Sequence, residues 1–328
     1  LTFGKSRPRR LDLLSPHAPD ASPGARPHLA LIAVQLFFGT WPIIGKLVLQ
    51  VVPATGLVAF RTAGATLAFL FLRRNAKNFW LERRSDYARI ALYALLGVVL
   101  NQLLYVKGLA LSTAVNATLL GTMIPVFTLL VAVLLGREKF SARVALGVVV
   151  AACGVIYLVN PRGADFTGGR TIGNLLLVAN CVFYGAYIAL SQDMIRRYGA
   201  LHVITWVFIF ACVVTLPLGA FHLARVPLNE VSWRIWLAIL YIVLVPTVGA
   251  YYLNAWALGR VAPSVVAVYV YLQPLIGLAL APLILGESLS ARMWVASLLI
   301  FAGVGIVTIR RRSSVLEEVS ERPDALSH

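Results

Sequence analysis

The chain has 328 residues, of which 59% are hydrophobic and only 13% charged, and its mean hydropathy is +0.82. A soluble domain carries about a quarter charged residues, so the composition excludes that class and indicates an integral membrane protein. The formal charge of +16 raises the question of a nucleic-acid or anionic partner, which the positions of the cations answer.

Residues 1–27 are rich in Pro, Arg, Ser and Ala and read as a disordered basic tail. No apolar stretch with a cleavage-type end precedes the first span, so no signal peptide is expected. Apolar windows of about 20 residues then predict an all-α integral membrane fold. Its ten transmembrane helices fall at about 28–50, 54–72, 88–107, 114–135, 142–159, 172–192, 202–222, 233–258, 264–285 and 291–309. Residues 310–328 form a polar tail.

Cations between the spans set the orientation. With the N-terminus in the cytoplasm, 21 of the 29 Lys and Arg lie on cytoplasmic segments, against five (Arg162, Arg170, Arg225, Arg234 and Arg292) on the other side. Both termini are expected inside. The positive charge is thus mainly a topology signal, and no nucleic-acid partner is expected. The expected partners are the lipid bilayer and a small-molecule substrate, with no oligomer required, and the expected location is the cell (inner or plasma) membrane.

Shifted by 149 positions, residues 105–158 lie without a gap on 254–307. Pro125 falls on Pro274, Glu138 on Glu287, Ser141-Ala142-Arg143 on Ser290-Ala291-Arg292, and Gly154 on Gly303. A weaker match at a shift of 146 lays Phe37-Phe38-Gly39 on Phe183-Tyr184-Gly185. The chain therefore divides into five-helix repeats at 28–160 and 170–309. Five is odd, so the second inserts upside down relative to the first, an arrangement used for alternating access.

The segments Gly108-Leu109-Ala110-Leu111-Ser112-Thr113-Ala114 through Pro125-Val126-Phe127-Thr128, and Ala257-Leu258 through Gln273-Pro274-Leu275 to Gly286-Glu287, resemble the two EamA-type repeats of the drug/metabolite transporter superfamily. Gly39, Trp41 and Pro42 of the first span and Arg61 of the second share the resemblance. The first repeat departs from it, with Arg137-Glu138 where the second has Gly286-Glu287. The resemblance implies a ten-helix carrier of small organic metabolites, often amino acids and often exported.

Polar side chains facing a bundle interior in lipid are costly and mark function. Asn180, Tyr184, Tyr187 and Ser191 share one face of the sixth span, and the repeat shift sets Tyr184 on Phe38 and Tyr187 on Trp41. Gln102 and Tyr105 of the third span fall on Tyr251 and Asn254 of the eighth. These are candidate substrate contacts, with simple packing or interhelical hydrogen bonding as the alternative. Asn116, with Thr118 and Thr122, and Tyr271, with Tyr269 and Gln273, are further candidates. Pro42, Pro125 and Pro274 sit mid-span, where each removes a backbone donor, and are candidate hinges. Lys46, Arg61 and Lys107 lie near the outer ends of their spans, as an anion-attracting vestibule or as cations snorkelling to the interface. Glu138 and Glu287 close the fourth and ninth spans, and are expected to cap helix ends and pair with the Arg five residues on.

All 13 Asp and Glu fall in tails, loops or helix ends. A carrier coupled to protons or sodium usually places one in the membrane core, so facilitated diffusion or exchange is expected. Cys153, Cys181 and Cys212 stand singly in apolar runs, which gives no metal site; no cofactor is expected. No nucleophile–base pair or acidic pair lies in a span, so the chain is not expected to be an enzyme. The sequence favours a secondary transporter of small metabolites such as amino acids. Its rivals are a polyspecific drug or cation efflux carrier and a non-transporting scaffold or sensor.

Overall fold

The computed structural model describes residues 25–76, 79–136, 142–159, 169–261 and 263–308. Among them the regular structure is helical, without strands, as a segment in lipid must satisfy its own backbone groups. The first half holds α1 (Ala25–Val48), α2 (Ala54–Leu72), α3 (Arg84–Leu111), α4 (Ala114–Leu134) and α5 (Ala142–Val159). The second holds α6 (Arg170–Tyr198), α7 (Ala200–Leu223), α8 (Trp233–Leu258), α9 and α10 (Ala291–Thr308), with α9 built from Pro263–Val268, a tight turn Tyr269–Leu272 and Gln273–Leu285. Eight of these, α1 to α4 and α6 to α9, contain a stretch long and apolar enough to cross a bilayer; α5 and α10 contribute the shorter apolar stretches Ala145–Leu158 and Ala291–Gly303. Residues 1–24 and 309–328, which hold the expected tails, and residues 137–141, which hold Glu138, lie outside the described residues.

Local chemistry ends the helices. Thr113 caps α4, its hydroxyl accepting from the Asn116 N–H at 3.0 Å, one of the donors that a helix start leaves unpaired. Gly286, at φ 65°, ends α9 in the left-handed conformation, which glycine adopts at no steric cost. Large apolar side chains such as Leu36, Phe71, Leu134, Leu237, Leu283 and Leu298 are exposed, while Gln35, Arg61, Asn101 and Gln102 are buried. That inversion of the soluble pattern suits a lipid surround.

Packing repeats as the sequence does. α1 packs on α8 and α9, and α6 packs in the same way on α3 and α4. The pairs α2–α7 and α5–α10 are their own mates under this exchange. Where α5 crosses α10, a Cβ on Gly303 would clash with the Ala151 backbone nitrogen, and one on Gly154 would lie 2.9 Å from the Ile300 nitrogen. Small residues let these backbones approach.

Two irregularities also repeat. α3 carries one turn of π-helix at Leu95–Leu100 and α8 one at Leu244–Gly249, 149 residues apart. α4 stops at Gly121 and restarts at Ile124, and α9 restarts at Gln273 after its tight turn. Pro125 and Pro274 each occupy the start of the restarted segment. Each sits where a helix start needs no N–H, so the donor that each lacks is one the restarted segment does not use. Pro42 does lie inside a continuous helix, α1.

Candidate functional site

The interrupted segments of both halves meet around a central cavity. Its wall takes Gln35, Phe38 and Trp41 from α1, Arg61 from α2, and Asn101, Gln102 and Tyr105 from α3. The second half supplies Asn180, Tyr184 and Ile188 from α6, Tyr251 and Asn254 from α8, and Val266, Val270 and Gln273 from α9; Gly121 and Ile124 of α4 complete it. About 60 Å³ of it is open to the centres of water molecules, room for roughly four waters.

Hydrogen bonds tie the two halves together across this space. The Gln102 amide donates to the Tyr251 hydroxyl at 3.5 Å. These residues are mates at the 149-residue shift, so the bond joins equivalent positions of the two sequence repeats. The Tyr251 hydroxyl donates in turn to Asn101 Oδ1 at 3.1 Å. Asn180 Nδ2 donates to the Asn101 carbonyl at 2.8 Å, and within the second half Asn254 Nδ2 donates to the Tyr184 hydroxyl at 3.3 Å. Gln273 reaches Gln35 at 2.7 Å.

Aromatic rings form the apolar walls. Phe38 and Tyr184, mates at the 146-residue shift, both meet Tyr251 edge to face, at ring separations of 6.0 and 6.4 Å. Trp41 stacks on Tyr105 at 6.1 Å. These distances are in the range where ring edges and faces attract.

Arg61 is 2% exposed. Its Nε donates to the Thr247 hydroxyl at 2.9 Å, and its guanidinium carbon lies 4.1 Å from the centre of a Trp41 ring. Thr247 belongs to the π-turn of α8 and donates to the Ile242 carbonyl five residues back, at 2.7 Å. The bulge thus turns a hydroxyl toward α2.

Several sequence candidates lie elsewhere. Tyr187 stacks on Tyr184 at 5.8 Å but is packed behind it, its ring filling the space beside Gly97. Asn116 is in the first turn of α4, where its Nδ2 donates to Ser112 Oγ and to Asn174 Oδ1 at 3.3 and 3.1 Å. Tyr271 packs edge-on against Phe301. Lys107 is exposed, and Lys46 reaches the Ala110 carbonyl at 3.4 Å. Of the three expected vestibule cations, only Arg61 faces the cavity. Gln35, Asn101, Gly121 and the four aliphatic wall residues were not among the substrate candidates; Gln35 carried a signal, one helical turn before Phe38 on the same face.

Glu287 also departs from expectation. Its two carboxylate oxygens accept from the backbone N–H groups of Ala114 and Val115, at 2.7 and 3.0 Å, so it caps the start of α4 in the opposite half. Arg292, its expected partner, instead lies over the Tyr157 ring at 6.0 Å. The Glu287 bonds join the end of α9 to the start of α4 at the α3–α4 end of the bundle. Toward the other end, a cavity of about 550 Å³ lies between Arg196, His202, Trp256 and Arg260. Among the described residues no three His, Cys, Asp or Glu side chains converge to hold a metal.

The family model described as "EamA-like transporter family" matches residues 26–160 and 171–309. A WAT1-related protein of Arabidopsis thaliana is 26% identical, over 91% of this chain and 86% of its own length. The transporter YetK of Bacillus subtilis is 22% identical over 87% of each. A crystal structure superposes with a TM-score of 0.60 at 22% identity, covering 88% of this chain and 98% of its own, which is a likeness of fold.

Proposed function

The chain belongs to the EamA-like transporter family, and from that premise we propose that it is a secondary carrier working by alternating access around the central cavity. In this reading its ten helices all span the membrane, as two inverted five-helix repeats at 28–160 and 170–309, with both termini in the cytoplasm of a cell whose inner or plasma membrane holds it. The substrates are small organic metabolites, and the carrier exports or exchanges them without oligomerising. Phe38, Trp41, Gln102, Tyr105, Asn180, Tyr184, Tyr251 and Asn254 contact the substrate.

The observation that carries this reading is the contact between repeat mates Gln102 and Tyr251. A cavity between two inverted halves can open to either side by the same rocking of one half on the other. Two further features fit one such state: the Glu287 bonds join the halves at the α3–α4 end, and a wide cavity lies toward the other end. By the distribution of cations that second end faces the cytoplasm.

Counterflow in proteoliposomes tests it. Purified protein, preloaded with unlabelled amino acids or small carboxylates, is expected to accumulate the matching radiolabelled compound without an ion gradient. Asn254→Ala should abolish that accumulation. Flux that appears only under a pH gradient would refute uncoupled exchange, and failure of every compound to exchange would refute transport.

A further inference from the structure

We infer that the cavity's ligand is an organic monoanion, a carboxylate that pairs with Arg61 and lays a flat apolar body against the flanking rings; this rests on reading the cavity as the transport site. Arg61 is buried at 2% exposure in the middle of α2, among apolar helices. A guanidinium offers five N–H donors. Its Nε is bonded to Thr247, while its two Nη groups have no hydrogen-bond partner among the described residues. Nor does any Asp or Glu line the cavity with it. A cation held out of water without a counterion is strongly unfavourable. The cavity wall holds this one charged group, so the group that neutralises it comes from the ligand.

The remaining chemistry narrows the class. A carboxylate matches the guanidinium fork with two parallel hydrogen bonds. One fixed positive charge is balanced by one negative charge, which favours a monoanion over a dianion. An ammonium on the ligand would find only neutral acceptors, such as Gln102 Oε1, which is buried without a partner. Such an oxygen accepts an N–H well but does not repay the dehydration of a full charge. Phe38 and Trp41, the latter against the guanidinium at 4.1 Å, line the same cavity as the charge and supply its apolar wall. The apolar body of the ligand lies there.

The test compares four compounds that share a phenyl ring: phenylacetate, its neutral isostere phenylacetamide, the cation phenethylamine, and zwitterionic phenylalanine. Each is titrated against the full-length protein in detergent, with thermal melting as the readout. Phenylacetate is expected to bind about tenfold tighter than the amide, as a charge-assisted bidentate pair requires, and tighter than the other two. Arg61→Gln should bring the acid-to-amide ratio to about one, and Arg61→Lys should keep part of it. Equal binding of acid and amide by the unaltered protein overturns the inference, whatever the variants do. So does a preference for phenethylamine, or phenylalanine binding as tightly as phenylacetate. Radiolabelled phenylacetate counterflow separates the two readings: acid-selective binding without flux upholds the anion site and removes transport, whereas flux without acid selectivity does the reverse.

Discussion

Tyr251 joins more of the cavity than any single neighbour does. Its hydroxyl donates to Asn101 and accepts from Gln102, and its ring meets Phe38, Tyr184 and Phe208. Tyr251→Phe keeps the ring and strands two buried amides, a loss of about 1–2 kcal/mol. Melting in detergent should fall by a few degrees, and the combination with Gln102→Leu should cost less than the two changes added, because both remove the same bond. Much of this was legible from residue spacing. The shift that pairs Gln102 with Tyr251 also predicts that they can touch, provided they sit where the halves meet. What spacing could not give was the depth of Arg61: it depends on the rotation of α2 against α8, and on a π-turn that aims Thr247 at it. Tyr271 lies in the tight turn Tyr269–Leu272, where three rather than 3.6 residues make a turn, and it packs on Phe301 instead.

Among the elements, the start of α4 and the crossing of α5 with α10 are the most exposed to substitution. Glu287 serves two N–H groups that no helical carbonyl can reach. In Glu287→Ala, hydrogen exchange at the Ala114 and Val115 amides should quicken about tenfold, corresponding to about 1.4 kcal/mol of lost capping. Unchanged exchange would mean that water already competes for those groups. At the crossing, Gly303→Ala sets a methyl group against the Ala151 backbone, which cannot move as a side chain can. It should lower the melting temperature by several degrees, at a cost of about 1–3 kcal/mol. Gly249→Ala, where the nearest atoms stand at ordinary contact, should leave melting almost unchanged. The element plan was readable because each long apolar run is one helix. The π-turns and the breaks in α4 and α9 were not, because each alters hydrogen bonding inside a run whose composition does not change.

For the whole molecule, the inverted reading makes a plain topological demand. A fluorescent reporter fused to either terminus should stay protected from protease added outside intact cells, and cleavage of one fusion alone would break the paired repeats. The internal match that suggested this plan appears again in the packing, where α1 relates to α8 and α9 as α6 does to α3 and α4. The match is incomplete in one respect. α2 brings Arg61 to the cavity, while its mate α7 contains neither Lys nor Arg. Two identical halves would offer the same surroundings to a solute arriving from either side; with the charge on one half only, the two faces differ. Such a carrier is a partial rectifier. Its half-saturation concentration should differ between the two faces when measured in oriented vesicles held at zero membrane potential, with the maximal rates differing in compensation, so that the solute still comes to equal concentrations on both sides.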